Sequence, residues 1–276
     1  MNNVDYMPEY NLREDAYVGS KEAFIKKLGI LAIIAKPEDW NFKNEQFKKV
    51  DNPYPILYNY LFFTYDRLKQ ENKIIYTIDE QYMCFNTGLQ TGNFERDIYA
   101  FCIRNKNYPD NAKQKWYLTK FCDGYDGDMR KFSVLPEVAD YIENAADLVF
   151  DKNCLPIRMQ YEHIIRDNLE RFKVIGESDE HKLYQMLKGA YEIVQERVKR
   201  NYKVAIPQFY TDKNSRNSKI QLLLPLCMQD RNKADLALVV ERDCQAYVGK
   251  TILPLDWAYM NSRRIVRPDA EWIISI

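Results

Sequence analysis

Residues 201 to 272 read NYKVAIPQFYTDKNSRNSKIQLLLPLCMQDRNKADLALVVERDCQAYVGKTILPLDWAYMNSRRIVRPDAEW. Three short apolar runs stand out, IQLLLPL from Ile220, DLALVVE from Asp235 and AYVGKTIL from Ala246, with turn-forming polar residues between them. That pattern predicts a three-strand meander, closed by a short helix from about Leu255 to Arg263. Just upstream, Leu183, Leu187, Ala190, Val194 and Val198 recur at helical spacing. They give a helix near residues 179 to 200 one apolar face, while Lys182, Lys188, Glu192 and Lys199 stay wet. A further helix is expected near residues 157 to 172, and Pro136 is suited to the first position of one running to about Leu148.

Toward the N-terminus, Ser20 is placed to cap a helix over Lys21 to Leu28, with Gly29 ending it and the apolar run to Ala35 continuing as buried helix or strand. Ile56, Leu57, Tyr60, Leu61, Thr64 and Leu68 keep the spacing of an amphipathic helix. KIIYTI, QYMCF, IYAFCI and KWYLTKF follow as β-prone runs, the second leading into turn chemistry at Asn86-Thr87-Gly88. Strands and helices grouped in this way define an α+β fold, a mixed or mostly antiparallel sheet with helices packed around it. Residues 1 to 18 read as a flexible tail and residues 19 to 276 as one domain. The alternative is two lobes, with a boundary near residues 151 to 156.

Forty basic residues balance forty acidic ones, so no whole-molecule field steers the chain to a polyanion, and any such site is local. The longest apolar run, Leu28 to Ala35, is far short of the roughly 20 residues that cross a bilayer. With no basic-then-apolar leader at the start, a cytoplasmic protein with no membrane partner is expected. The six cysteines form no CxxC pair, and the only histidines, His163 and His181, lie apart from them. A zinc site is therefore not expected, and neither is any other metal or cofactor. Glycine is scarce, and neither a P-loop nor a GxGxxG motif is present. The GxSxG, HExxH and kinase motifs are absent as well. DGYDGD, from Asp123 to Asp128, reads as a turn because its acids are wrongly spaced for a calcium loop.

Four constellations carry candidate chemistry. Asn86, Thr87 and Gly88 either present polar groups to a ligand or hydrogen-bond the backbone of their own turn. His163, Asp167 and Arg171 share a helix face, where the carboxylate can orient the histidine as a base; a plain solvated face is the alternative. Between Gln195 and Ile220, seven basic residues, Lys203 and Lys219 among them, face only Glu196 and Asp212. Tyr202, Phe209 and Tyr210 are interleaved with them, a pairing that suits single-stranded nucleic acid or a nucleotide. Cations at the end of a helix read equally well as ordinary charge complementing its dipole. Finally, Asn261, Arg263 and Arg264 can grip a phosphate or carboxylate, while Asp256 sits where an acid caps a helix or acts as a catalyst. Asp235, Glu241 and Lys250 invite comparison with a metal-dependent nuclease, but Val248 stands where the second metal-binding carboxylate is needed.

Taken together, FNTGL, NYKVAIPQFY, IQLLLPLCM, DLALVVER, YVGKTILPLDWAYMNSRRI and RPDAEW resemble the domain-of-unknown-function family 3825 from about Leu28 to Trp272. The resemblance implies a shared fold and no assigned reaction. Its members are similar to proteins that sit beside RNA-binding modules such as cold-shock-like domains. Carried over by position, the family's polar signature falls on Asn86, Thr87, Gly88, Lys203, Gln208, Tyr210, Asp235, Tyr247, Gly249, Asp256, Asn261 and Arg263. Ser262 departs from the alanine of related proteins.

The leading expectation is a protein that binds RNA or a nucleotide, with Lys203, Arg263 and Arg264 on phosphate and Tyr210 or Trp257 stacking. The second is a phosphoesterase or nuclease with His163, Asp235 or Asp256 in catalysis. The third is a protein-interaction domain, for which a homodimer is the simplest form.

Overall fold

A computed structural model describes residues 11–41, 52–107, 113–211, 218–244, 246–269 and 271–274. They fall into two units, one holding the described residues up to Asp140 and the other those from Tyr141 onward.

The first unit begins with a short helix α1 (Asn11–Asp15) and a two-residue strand β1 (Ala16–Tyr17). Leu12 and Ala16 are fully buried, so apolar contact anchors a stretch whose sequence reads as tail. Ser20 caps α2 (Lys21–Ile34) by accepting the Ala23 N–H at 3.2 Å. Gly29 does not end this helix; it lies under Tyr54, whose hydroxyl would sit 3.2 Å from an added Cβ. Helix α3 (Pro55–Gln70) starts on proline and buries Ile56, Leu57, Tyr60, Leu61, Thr64 and Leu68, the stripe its spacing predicts, together with Phe62 and Tyr65.

Strands β2 (Ile75–Tyr76), β3 (Tyr82–Gln90), β4 (Asp97–Arg104) and β5 (Trp116–Asp123) complete a mixed sheet in the order β1-β5-β4-β3-β2, in which only β1 and β5 run parallel. Cys84, Tyr99, Phe101 and Cys122 meet Met129 and Phe132 in one apolar cluster. Met129 lies in a 3-10 turn, Gly127–Lys131, that Asp126 caps. Lys120 holds Asp126 and Asp128 at 2.8 and 2.7 Å, so DGYDGD is a salt-bridged turn, as its spacing predicts.

Two expectations fail here for one reason, which is where backbone groups find partners. Asn86-Thr87-Gly88 is not a terminal turn: β3 runs through it, and its register with β4 shifts between Asn86 and Gln90. Nor does a helix start at Pro136. The segment stays extended because distant side chains hold its backbone: Asn86 Nδ2 reaches the Pro136 carbonyl, Lys73 that of Val138 and Arg67 that of Asp140, while the Glu71 carboxylate accepts the Asp140 N–H. Of the residues from Pro136 to Leu148, only Ala145–Leu148, in the second unit, makes a 3-10 turn.

The second unit is built on a wholly antiparallel sheet ordered β6 (Ile206–Thr211), β7 (Ser218–Leu226), β8 (Leu236–Asp243) and β9 (Ala246–Pro254). The meander and its closing helix α6 (Leu255–Arg263) stand where the sequence places them, and β6 is an added edge strand. Leu222, Leu224, Leu226, Leu236, Leu238, Val240 and Ile252 pack one face of the sheet against α4 (Tyr161–Asp167) and α5 (Glu180–Arg200). Asp179 caps α5, and its predicted stripe is buried throughout. Helix α4 is shorter than the expected 157 to 172. Arg158 spends its backbone on β9 instead, giving its N–H to Tyr247 and accepting that of Gly249 at 2.8 and 2.9 Å. Asn168 then ends α4 by binding the Ile164 carbonyl at 2.8 Å. A last short helix, α7, covers Glu271–Ile274.

Gly88 has φ +72, and a Cβ there would lie 2.4 Å from the Tyr60 hydroxyl. Gly88→Ala is therefore expected to destabilise the protein by about 1–3 kcal/mol. In urea the midpoint should fall with an unchanged slope; an unchanged midpoint would refute the steric reading.

Candidate functional site

Strand β6 contains Pro207, which an edge strand tolerates because one side of its ladder is unused. Gln208 pairs in register with Gln221 of β7. One step along, Leu222 faces Val240 of β8, which brings Glu241 level with Gln221. Since side chains alternate along a strand, Gln208, Tyr210, Lys219, Gln221 and Glu241 all project from the face opposite the α5 core. Helix α6 returns across that face and sets Asn261 against Gln208.

These groups form one continuous ladder. Asn261 Nδ2 donates to Gln208 Oε1 at 3.1 Å, and Gln208 Nε2 donates to Gln221 Oε1 at 2.9 Å. Gln221 Nε2 donates to Glu241 Oε2 at 2.8 Å, and Lys219 Nζ closes the series on Glu241 Oε1 at 2.6 Å. Gln208 and Gln221 are 1 % and 5 % exposed. Each has its side-chain needs met by the next, which is the condition for burying amides without a penalty of about 1–3 kcal/mol apiece. Burial opposes ionisation of Glu241, but the hydrogen bonds from Lys219 and Gln221, with the charges of Lys219 and Lys250, outweigh it and hold its pKa below the ordinary glutamate range.

Beneath the ladder, Arg263 and Arg264 are buried at 8 % and 6 % exposed. Arg264 Nη1 donates to the Phe209 carbonyl at 3.2 Å, which ties the end of α6 to the edge strand. Burial of both side chains leaves little of either guanidinium exposed. Lys203 is exposed in the 3-10 turn Tyr202–Val204 just before β6, and Asn201 Oδ1 accepts its N–H at 3.0 Å. Of the other cations in that stretch, Lys199 and Arg200 pair with Glu196, while Lys213 and Arg216 lie outside the described residues.

The remaining candidates have partners of their own. Asn86, Thr87 and Gly88 belong to the first unit. Asn86 and Thr87 are fully buried, and Asn86 bonds Asp97, the Pro136 carbonyl and the Gly88 N–H. Thr87 Oγ1 donates to the Ile98 carbonyl at 2.6 Å. Together they satisfy the irregularity in β3. Tyr247 is buried, stacked on Phe150 at 4.6 Å, and its hydroxyl accepts the Asp151 N–H. Gly249 lets β9 approach Met159, whose sulfur would sit 2.5 Å from a Cβ.

The three catalytic candidates have separate partners. His163 Nε2 lies 3.2 Å from Asp167 on an exposed helix face. Asp235 accepts the N–H groups of Met228 and Gln229 at 2.7 and 3.0 Å, closing the β7–β8 connection. Asp256 accepts the N–H of Trp257 at 2.8 Å. No hydrogen bond or ion pair links the three, and the described residues contain no cluster of His, Cys, Asp and Glu able to hold a metal. Trp257 instead covers Arg171, whose guanidinium is 5.3 Å from its ring and bonds Thr251 Oγ1 at 2.9 Å. Gln221, Glu241 and Lys219 complete a site that the sequence shows only in part. Their signal is a glutamine inside the otherwise apolar IQLLLPL and a glutamate closing DLALVVE.

An α+β chain with a mixed sheet and a four-stranded antiparallel sheet defines the class. A family model described as "Domain of unknown function (DUF3825)" matches residues 31–272, and the chain belongs to that family. No curated protein and no solved structure matches it. No helix of the described residues is long and apolar enough to cross a membrane.

Asp256 offers a direct check on α6. Burial pushes its carboxyl up to about 6, against the milder pull of the Trp257 N–H. A carboxyl raised in the fold contributes its stability below the unfolded value and loses it as pH rises through about 6. Asp256→Asn should therefore stabilise the protein at pH 8 by roughly 1–3 kcal/mol and do little at pH 4. Equal melting shifts at the two pH values would contradict this placement.

Proposed function

We propose that the second unit binds RNA or a nucleotide on the α6 face of its sheet. One observation carries the reading: Gln208, Tyr210 and Asn261, separated in sequence, are gathered on one face with Lys219, and exposed Lys203 stands at the start of the same edge strand. An amide that presents hydrogen-bonding groups, here Asn261 held in place by Gln208, together with an aromatic ring and flanking lysines, is the kind of surface by which proteins hold unpaired nucleotides. Strand β6, six residues at about 3.3 Å each, provides an extended track of roughly 20 Å that begins just after the turn carrying Lys203 and includes Tyr210. Phosphate contact falls to the lysines, because Arg263 and Arg264 are buried.

A phosphoesterase reading draws on one feature, the Asp256 carboxyl held near pH 6, a value suited to proton transfer near neutrality. Cleavage of bound RNA that Asp256→Asn abolishes would favour it over simple binding.

Fluorescence anisotropy with labelled single-stranded RNA and a mononucleotide panel tests the proposal at low salt. Tyr210→Ala should weaken binding about tenfold, the loss of one stacked base. Lys203→Ala should lower the slope of log affinity against log salt by about one. Absence of binding to RNA and to every mononucleotide overturns the proposal.

A further inference from the structure

The direction of the ladder assigns the outer residue a specific pair of hydrogen-bonding groups. An ionised carboxylate only accepts hydrogen bonds, and Glu241 is held ionised by Lys219 at 2.6 Å. Gln221 must therefore turn its NH2 toward Glu241, at 2.8 Å, which leaves its oxygen facing β6. That oxygen obliges Gln208 to donate, at 2.9 Å, and so to present its own oxygen to α6. Asn261 in turn donates one Nδ2 hydrogen at 3.1 Å. The orientation of every amide is thus relayed from one charge across three strands and a helix. At the outer end, partly exposed Asn261 keeps its Oδ1 and its second N–H, neither bonded among the described residues.

We propose that Asn261 reads a nucleobase edge that carries a donor beside an acceptor, and that the base is adenine, with Glu241 as the residue that positions the reader. This rests on the nucleotide-binding reading of the same face. An asparagine that offers both an oxygen and an N–H matches the amino group and ring nitrogen of adenine in bidentate fashion. Tyr210 projects from the same face of the sheet as Gln208 and supplies a stacking surface close to the reader. Without Glu241 as an obligate acceptor the amides are free to reverse, and Asn261 no longer presents one fixed pattern.

The test compares four labelled single-stranded RNAs of equal length, oligo-A, oligo-U, oligo-C and oligo-G, on the full chain at one salt concentration. Wild type should favour oligo-A by about tenfold, within the range of one bidentate contact. Glu241→Gln, which is close in size but can donate, should bring oligo-A down to the level of the other three. Asn261→Ala, at a partly exposed position, should do the same while still folding, its melting point lowered by the Gln208 oxygen left without a donor, and it decides the matter if Glu241→Gln does not fold. Binding without base preference, or a preference that survives in the variants, overturns this inference and leaves the binding reading standing. Failure of all four RNAs to bind overturns both.

Discussion

The charge on Glu241, half-buried on the α6 face of the second sheet, is the constraint on which the polar side of that unit depends. Its two oxygens take one hydrogen bond from Gln221 and one from Lys219, and the remaining amides are oriented in sequence from it. Take away the charge and Gln221 keeps only the weaker acceptor of a neutral carboxyl, which can now also donate, in a place water barely reaches. Gln208 and Asn261 then lose the reason for pointing as they do. A buried polar series of this kind is worth most when complete, because a single unmet group costs about 1–3 kcal/mol.

The same sheet shows why such a series is kept on one face only. Toward α5, the even residues of β7 from Leu222 to Leu226 and the matching side chains of β8 close a wholly apolar core. Toward α6, Leu223 and Val239 are buried apolar residues beside Gln221 and Glu241, so polar and apolar positions divide that face along its length. Helix α6 bridges the division: Ala258 and Ser262 lie buried, Asn261 reaches the ladder and Arg264 holds the backbone of β6. An edge strand that would otherwise offer a free rim for mispairing is thereby tied down, with Pro207 removing one donor from it.

How far the sequence could be read depends on whether an element's partners are local. The α5 stripe, the α3 stripe, the Ser20 cap and the three-strand meander follow from spacing within a dozen residues, and each stands where that spacing puts it. Strand β6 was hidden because IPQFYT carries a proline and alternates irregularly, so only its pairing with β7 makes it a strand. The extended run after Pro136 was hidden because Arg67, Glu71, Lys73 and Asn86, far away in sequence, take the hydrogen bonds a helix would have made. In the site, Gln208, Tyr210 and Asn261 were legible as unusual polar residues, but Gln221 and Glu241 looked like the flanks of strands. Their roles come from cross-strand register, which no single segment displays. Arg263 and Arg264 show the converse: their charge suggested a ligand, and packing turned them inward.

The most direct measurement of this account is a pH titration by NMR that follows the Glu241 carboxyl together with the side-chain amides of Gln221 and Gln208. The account predicts a Glu241 midpoint below the ordinary glutamate value of about 4.3, with both amides shifting at that same midpoint, Gln221 because protonation weakens the acceptor of its Nε2–H and Gln208 because its own acceptor is the Gln221 oxygen. A Glu241 that titrates at the ordinary value while the two amides stay unmoved would contradict it.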